Sequence, residues 1–219
     1  MGLGVLNKLF VANRMPKPFA YYPLISDGRD VIGGRDMQLE NVTFDHNGAY
    51  FNGINSKGTI PDDDIFTFAD ANGDKPFSIS FYVIIEKSDC YYVNKVNGNI
   101  EREFFIHSFR SKKIKFGLYG NGVLSKYIQR HSSSDLIIGQ MHHIVVTYNG
   151  RGSANDLNIY IDKTNVNGAV YSGNYTKIYN TPSNVGVGHF PGKNLFHKGY
   201  LKDIKFFDVE LTPEQIQKL

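Results

Sequence analysis

Alternation of apolar and polar residues runs through most of the chain. The clearest example is the segment 140–162, QMHHIVVTYNGRGSANDLNIYID. Its first part, MHHIVVTY, has a period of two, and so does its last part, LNIYID. Asn149 and Gly150 interrupt the pattern, and a loop of turn-forming residues follows them. This segment therefore predicts two antiparallel strands joined by a polar turn.

The same alternation recurs in short runs that end at Gly, Asn or Pro. FSISFYVII, at residues 77–85, is the most strand-like of them. The other predicted strands are residues 20–24, 37–44, 49–51, 57–60, 91–96, 104–109, 114–119, 123–129, 184–188 and 200–208. About a dozen strands at this spacing, without helical crossovers, predict an all-β fold with two antiparallel sheets packed as a sandwich.

A helix is predicted only at the carboxyl end, in LTPEQIQKL. Thr212 is placed to cap the helix, Pro213 suits its first position, and Gln215 stands at the capping-box position. Ile216 and Leu219 would then pack on the sandwich.

Residues 1–18 differ from the rest of the chain, because apolar side chains crowd ahead of Pro16 and Pro18. Pro18 marks the predicted start of a domain at residues 19–219, with residues 1–18 as an N-terminal arm. The apolar residues of this arm are Leu3, Val5, Leu6, Leu9 and Phe10. Either the arm lies on its own domain, or it anchors the chain in a neighbouring subunit. It lacks the charged region and the cleavage site of a secretion signal.

Composition narrows the functional classes. The 219 residues include 16 Phe and 14 Tyr, enough for a core without Trp. A net charge of +3, spread evenly, gives no reason to expect nucleic acid as a partner. The single cysteine, Cys90, excludes an internal disulfide framework. No apolar run approaches the roughly 20 residues that a membrane-spanning helix needs.

Five stretches resemble the laminin G-like, concanavalin A-like family of jelly-roll domains. They are AYYPL with SDGRDVIGG, NVTFDHNGAYFNGINSKGTIPD, FSISFYV, MHHIVVTYNG with LNIYID, and GYLKDIKFFDVELTPEQIQKL. Together they cover residues 19–219 in the order of the family. Tyr82 and Met141 stand at or near places where the family commonly has Trp, and Lys163 stands where a Gly often occurs. The resemblance implies a two-sheet jelly roll whose loops or concave face bind glycans, proteins or Ca²⁺. Such domains are often extracellular or virion-borne.

The same superfold includes glycoside hydrolases, whose chemistry depends on paired acids. Retaining hydrolases of this kind place acidic residues at alternate positions of one strand. Glu101 and Glu103 alternate in this way, but Phe105 stands where a third acid would be expected. A solvated strand edge explains the pair as well. We therefore predict no enzymatic activity and keep a hydrolase as the third hypothesis.

Metal sites are weakly indicated. His142 and His143 are neighbours on a strand and point to opposite faces, which favours a structural role over joint ligation of one ion. Calcium is the one cofactor that the sequence leaves open. Hard cations need several oxygen ligands, and Asp-rich loops could supply them. The candidate ligands are Asp27, Asp30, Asp62, Asp63 and Asp64. A solvated loop or a helix N-terminus is the simpler interpretation of the last three.

Tyrosines are the candidate contacts for a glycan, because a phenol ring can stack on the face of a sugar. The candidates are Tyr127, Tyr171, Tyr175 and Tyr179. The usual alternative is that such tyrosines form a half-buried framework.

The leading hypothesis is a non-enzymatic structural or decoration protein of a virus or phage particle. Its domain resembles an extracellular family, yet it shows no secretion signal and no disulfide, and an apolar arm precedes it. The arm would dock on other virion proteins made in the host cytoplasm. The alternative is a carbohydrate-binding, lectin-like or receptor-binding module, located outside the cell. The two are compatible if a particle uses the domain to adhere to glycans.

Overall fold

A computed structural model describes residues 14–98, 100–108, 110–120 and 125–219. Its strands form two eight-stranded sheets, which we call sheet A and sheet B, and one two-stranded sheet. Every pairing between strands is antiparallel in the described part. The prediction of an all-β antiparallel jelly-roll sandwich is confirmed. The arm residues Leu3, Val5, Leu6, Leu9 and Phe10 lie outside the described residues, so the anchoring arm stays a prediction.

The strands are β1 (Ala20–Tyr22), β2 (Gln38–Glu40), β3 (Thr43–Asp45), β4 (Gly48–Asn52), β5 (Lys57–Ile60), β6 (Ala69–Asp70), β7 (Gly73–Asp74), β8 (Phe77–Ile85), β9 (Tyr91–Asn97), β10 (Glu101–His107), β11 (Lys113–Tyr119), β12 (Tyr127–Asp135), β13 (Met141–Tyr148), β14 (Leu157–Ile161), β15 (Thr164–Asn165), β16 (Asn167–Ser172), β17 (Val185–Val187) and β18 (Lys198–Phe207). The helices are the 3₁₀ turns η1 (Asp64–Phe66) and η2 (Ala154–Asp156) and the α-helix α1 (Pro213–Ile216).

Sheet A has the strand order β15-β14-β13-β8-β18-β4-β3, and β1 also pairs with β18. Sheet B has the order β16-β12-β11-β10-β9-β17-β5-β2. Four consecutive strands of sheet B, β9 to β12, form a meander, because each pairs with the next one along the chain. This meander is the broad surface on which the candidate site lies.

The strand pair predicted from residues 140–162 is present as β13 and β14. Tyr148 lies opposite Leu157, and Ile144 lies opposite Ile161. On its other side β13 pairs with β8 along its full length, from Met141 opposite Ile84 onward. The apolar alternation of these three strands buries one face against sheet B, which is why the pattern was readable in the sequence.

Aromatic rings fill the core in place of Trp. Phe77 of β8 stacks on Phe68 with ring centroids 3.8 Å apart. It also makes edge-on contacts with Phe116 of β11, at 5.9 Å, and Tyr148 of β13, at 5.9 Å. Phe77 therefore joins the two sheets near the middle of the sandwich.

Helix α1 has the predicted capping box, in which Thr212 and Gln215 exchange hydrogen bonds. Ile216 packs with Phe207 and Val145 in a small cluster apart from the main core, and Leu219 is partly buried against it. The helix thus covers part of the outer face of sheet A. Among the described residues, none of the helices combines the length and the apolar character needed to cross a lipid bilayer.

The predicted strands differ from the observed ones most clearly in two places. Residues 37–44, predicted as one strand, divide into β2 of sheet B and β3 of sheet A. The chain turns between them at Asn41, whose φ of 53° is left-handed. Strand β16 was not predicted, because it is an edge strand whose side chains are mostly exposed and show no apolar alternation.

Candidate functional site

The outer face of sheet B carries a continuous row of side chains across neighbouring strands. Phe105 of β10 lies opposite Asn94 of β9 and Gly117 of β11. Gly117 in turn lies opposite Gln129 of β12, and Gln129 lies opposite Tyr171 of β16. Residues directly opposite one another project from the same face of a sheet. Since Phe104 and Ile106 point into the core, Phe105 and its row point away from it.

Similar rows flank this one on both sides. In one, His107 lies opposite Tyr91 and Lys115, and Lys115 lies opposite His131. In the other, Arg102 lies opposite Val96, and Tyr119 lies opposite Tyr127. We call these outward positions together the aromatic face: Tyr91, Asn94, Val96, Arg102, Phe105, His107, Lys115, Gly117, Tyr119, Tyr127, Gln129, His131 and Tyr171. None of them is an acid.

Gly117 lets the ring of Phe105 lie flat across the middle of the face. A Cβ atom at Gly117 would come within 2.4 Å of Cζ of Phe105. The ring of Phe105 also stacks on His107, at 4.8 Å between centroids, and contacts Tyr119 at 5.3 Å. Phe105 is only 3% exposed. The floor of the aromatic face is thus a layer of packed rings rather than a deep pocket.

One end of the face is closed and the other is open. Phe190, in the segment after β17, packs on Tyr91 with centroids 4.9 Å apart, and Asn94 donates to the carbonyl of His189 at 2.8 Å. That segment buries the β9 side of the face. The open part reaches from β10 to β16, over three strand gaps that span about 14 Å at about 4.8 Å each. Its half-buried or exposed side chains are His107, Lys115, Tyr119, Tyr127, Gln129, His131 and Tyr171.

Both histidines of the face are held in the neutral form. Burial, with Lys115 next, lowers the pKa of His107 to about 3. Burial and the charge of Lys115 also lower the pKa of His131 to about 4. A neutral imidazole has one donor nitrogen and one acceptor nitrogen. The Nε2 atom of His131 is buried without a hydrogen-bond partner, while its ring lies 4.6 Å from that of Tyr171.

Arg102 orders the end of the face near Tyr119. Its Nε donates to the carbonyl of Gly98 at 3.0 Å, and its Nη1 donates to the hydroxyl of Tyr119 at 3.0 Å. The guanidinium also lies 5.0 Å from the ring centroid of Tyr119 and 5.4 Å from that of Phe190. Because Arg102 is buried and bonded in this way, it sets the orientation of Tyr119.

The acids proposed for hydrolysis do not form an open site. Glu103 is fully buried, and its Oε1 accepts hydrogen bonds from Lys95 at 2.6 Å and from the backbone of Thr181 at 2.8 Å. Glu101 instead accepts from Asn97, at 3.0 Å, and from Ser183. Burial raises the pKa of Glu103, although Lys95 opposes the shift. The two acids hold the segment around Thr181 and Ser183 in place.

The five candidate calcium ligands are engaged with protein groups. Asp27 binds Arg29, Asp30 accepts from the backbone of Tyr21, Asp62 pairs with Lys95, Asp63 accepts from Arg35 and from the backbone of Ile65, and Asp64 accepts from Asn180. Asp63 is the N-cap of η1, as the helix-terminus interpretation expects. Within the described ranges, no three His, Cys, Asp or Glu side chains converge so that they could hold a metal ion. Calcium binding stays an untested prediction.

His142 and His143 are part of the scaffold. Nδ1 of His142 lies 2.7 Å from Oδ2 of Asp162, and Nε2 accepts from the backbone of Ile137 at 3.0 Å. Nε2 of His143 lies 2.8 Å from the hydroxyl of Ser80. Each histidine thus has its own partners, which agrees with the structural interpretation of the pair.

The structure separates the four candidate tyrosines. Tyr127 and Tyr171 lie on the aromatic face. Tyr175 does not, because its hydroxyl donates to Oδ2 of Asp74 at 2.6 Å, and burial together with Asp74 raises its pKa far above the usual range. Tyr179 is exposed but lies beside Ala69 and Asp70 of β6. Tyr175 is partly buried against the core, as the framework interpretation expects, and sugar stacking by any of the four tyrosines stays a prediction.

Sequence reasoning missed most of the open face, namely His107, Lys115, Tyr119, Gln129 and His131. The signal was present in KIKFGLY and YIQRHS, where the apolar positions alternate with these residues. The apolar positions of this alternation mark the buried side of each strand. The opposite side of the same strands holds the site.

Comparison with known proteins identifies the family. The family model of the concanavalin A-like lectin/glucanases superfamily, of the laminin G type, matches residues 43–217. Comparison with curated protein sequences gives no significant match.

Solved structures show the same architecture. Domain 4 of AbnA, a GH43 extracellular arabinanase from Geobacillus stearothermophilus in complex with arabinotriose, has a TM-score of 0.67 and 15% identity, over 94% of this chain and 98% of that one. The binding domain of Paraclostridial Mosquitocidal Protein 1 has a TM-score of 0.70 and 14% identity, over 92% of this chain and 51% of that one. A Trypanosoma rangeli sialidase has a TM-score of 0.62 and 16% identity, over 90% of this chain and 31% of that one.

The chain thus spans nearly all of the arabinanase domain, about half of the toxin domain and about a third of the sialidase. At these identities the structural likeness shows the fold alone. The family model covers most of the chain, and the sheet topology agrees with it. The chain belongs to the concanavalin A-like lectin/glucanases superfamily.

Proposed function

We propose that this chain is a non-catalytic carbohydrate-binding module that holds an oligosaccharide along the open part of the aromatic face. The observation that carries the proposal is the register of sheet B. It places Tyr119, Tyr127, Gln129, His131 and Tyr171 next to one another on one accessible surface.

These residue types match the chemistry of a sugar. A pyranose or furanose ring has C–H groups that pack on an aromatic ring, and hydroxyls that need both donors and acceptors. Tyr127 and Tyr171 offer rings with a polar tip. The amide of Gln129 and the neutral imidazole of His131 can each donate and accept. A flat, shallow and partly polar surface suits an extended chain of sugars better than a small apolar ligand, which needs a deep enclosure.

The comparisons support binding. The arabinanase domain, which this chain matches over nearly its whole length, was solved with arabinotriose, and the toxin match is described as a binding domain. The hydrolase alternative is weakened by the burial of Glu103, because an acid that is sealed inside the sandwich cannot reach a glycosidic bond.

The hypothesis of a virus or phage structural protein gains no support from these matches, which favour the carbohydrate-binding alternative. Its main structural argument, the apolar arm, lies outside the described residues. We therefore propose glycan binding as the primary function. Docking on virion proteins stays a prediction, and so does a location in a virion or outside the cell.

The test compares two tyrosines of matched exposure. Tyr171 is 44% exposed on the aromatic face, and Tyr179 is 46% exposed away from it. A glycan array on the full chain should identify a selective, saturable ligand, and calorimetry should then measure its affinity. We expect Tyr171→Ala to weaken binding about fivefold, which corresponds to about 1 kcal/mol for a lost aromatic contact. Tyr179→Ala should leave the affinity unchanged. An array without any selective ligand, or an equal effect of both substitutions, would overturn the proposal.

A further inference from the structure

We infer that residues 1–13 dock in an apolar groove beside helix α1 of the same chain. Leu6, Leu9 and Phe10 are the side chains that fill this groove. The inference is independent of the proposed function, because the aromatic face lies on sheet B and the groove lies beside sheet A. Of the two roles considered for the arm, it selects the one in which the arm lies on its own domain.

The groove lies where strand β18 ends, and it has a volume of about 320 Å³. The apolar residues that line it are Met15, Pro16, Pro18, Ile32, Phe207 and Leu219. Phe207 is only 1% exposed and lies at the bottom of the groove. Met15 and Leu219 pack, partly buried, against the cluster that contains Phe207. A contiguous apolar surface of this kind on a globular protein usually marks a contact site.

Ile32 forms one fixed wall of the groove. Its side chain is 55% exposed, yet its backbone N–H donates to Oδ1 of Asp30 at 3.1 Å. The same carboxylate oxygen accepts from the backbone of Tyr21 in β1 at 2.9 Å, and Asp30 itself is buried. An exposed apolar side chain that is held in place beside an apolar groove contributes stability when a second apolar surface covers it.

The arm starts directly beside the groove. Gln215 of α1 donates a hydrogen bond to the carbonyl of Arg14 at 3.0 Å, and the next residue, Met15, already lines the groove. Residues 1–13 can span roughly 40 Å when extended, which is ample reach. A tethered segment has an effective concentration in the millimolar range, and closing a short loop costs little. The arm of the same chain is therefore favoured over the arm of a second copy.

The composition of the arm matches an apolar site. Lys8 is the only charged side chain among residues 1–13, and the spacing of Leu6, Leu9 and Phe10 lets them share one face of a short helix. The groove also has a cation at its edge, since Lys205 lines it with Nζ 5.1 Å from the ring centroid of Tyr21. Lys8 and Lys205 have the same charge, so apolar burial rather than ion pairing holds the arm.

The experiment uses a fluorescent reporter in the full chain. The chain contains no tryptophan, so Phe10→Trp introduces a single indole in the arm. We expect its emission to lie at shorter wavelength than that of a free peptide of residues 1–13 with the same substitution, and acrylamide to quench it severalfold less. Added salt should leave both signals unchanged, because the contact is apolar. Dilution should also leave them unchanged, because the arm and the groove belong to one chain.

Ile32→Asp, combined with Phe10→Trp, should return emission and quenching to the values of the free peptide. The matched control is Ile138→Asp, since Ile138 is 52% exposed in the loop between β12 and β13, away from the groove. Both substitutions are at exposed positions, where the fold is expected to tolerate them, and circular dichroism verifies this.

Two results would overturn the inference. One is an indole as exposed in the full chain as in the peptide, or protection that survives Ile32→Asp in a folded variant. The other is protection that appears only at high protein concentration, together with a dimer in size-exclusion chromatography. That second result would assign the groove to the arm of a second copy. Neither result affects the proposed glycan site, which the array and Tyr171→Ala test separately.

Discussion

The ammonium group of Lys95 lies 2.6 Å from Oε1 of Glu103, and both side chains are completely buried. Nζ of Lys95 also lies 3.0 Å from Oδ1 of Asp62. Thr181 donates its backbone N–H, at 2.8 Å, and its hydroxyl, at 2.9 Å, to the same oxygen of Glu103. The pair joins β9 and β10 from the inside at the place where the same strands carry Asn94 and Phe105 on the outside. An internal ion pair thus supports the closed end of the aromatic face.

Removal of one partner of this pair should destabilise the fold strongly. Lys95→Met leaves the carboxylate of Glu103 buried without its countercharge, and such a loss costs about 3–5 kcal/mol. Burial already raises the pKa of Glu103, so the variant should take up a proton there at higher pH than the parent. Urea unfolding measures the change in the free energy of unfolding.

The double variant Lys95→Met, Glu103→Leu separates a missing charge partner from a general packing defect. Since it removes both charges, it should recover most of the loss. If Lys95→Met costs under about 1 kcal/mol, or if the double variant is less stable than the single one, the pair does not hold this end of the sandwich as described.

Stability should fall in mild acid because of buried histidines. His197 is completely buried, and burial lowers its pKa to about 3, while the pKa of His143 is lowered to about 4, also mainly by burial. In the unfolded chain these groups bind protons near pH 6.5. The unfolded state therefore holds more protons below that pH. The contribution of these histidines to the free energy of unfolding is complete above pH 6.5. It decreases as the pH falls toward 4, by about 1.4 kcal/mol per pH unit for each such histidine.

His197→Phe tests this origin, because a phenyl ring retains the contacts with Phe51 and Tyr92 but cannot bind a proton. Denaturant unfolding between pH 7 and 4 should show a flatter pH dependence for His197→Phe than for the parent chain. His46 has a highly exposed side chain, and His46→Gln serves as the control with an unchanged slope. Parallel curves for His197→Phe and the parent would contradict the assignment.

Gly117 should be essential for the shape of the aromatic face. A valine there would displace the ring of Phe105, whose nearest atom lies 2.4 Å from the position of the new Cβ. The displaced ring would then project into the open part of the face, where a ligand lies. We expect Gly117→Val to weaken glycan binding at least tenfold and to cost about 1–3 kcal/mol of stability through overpacking.

The control for Gly117→Val is Gly34→Ala, where no atom lies within 4 Å of the added carbon but φ is 71°. It should cost about 1 kcal/mol from backbone strain and leave binding unchanged. Calorimetry and thermal unfolding of both variants provide the comparison. Normal affinity in a folded Gly117→Val variant would show that the ligand does not use this surface.

Patterns within short segments of the sequence were sufficient to predict much of the fold. The alternation in residues 77–85 and 140–162 predicted three neighbouring strands of sheet A, and the Thr212 capping box predicted the helix. These predictions succeeded because each signal lies within a few residues and is set by which side of a strand or helix is buried. Residues 37–44 were predicted less well. Their two halves pair with different sheets, and nothing within the segment except the turn at Asn41 marks the division.

The site depended on relationships that no single segment contains. Glu101 and Glu103 alternate in the sequence, yet the register of β9 and β10 shifts between Arg102 and Phe104, and Glu103 is buried inside with Lys95. Tyr127, Tyr171 and Tyr175 looked equivalent as sequence features. Only the pairing of β12 with β16 placed Tyr171 beside His131. Only the tertiary fold brought the hydroxyl of Tyr175 to Asp74.

The sequence by itself determined the fold class and the buried side of the regular strands, because apolar periodicity is a local property that burial imposes on every strand separately. Five stretches that resemble known jelly-roll domains indicated the family. The tertiary structure alone decided which outward residues become neighbours. Strand register brings Lys115 between His107 and His131, and it lays Phe105 across Gly117. Those pairings arise between separate strands, through backbone hydrogen bonds that any residue can make, so the residue pattern carries no direct record of them.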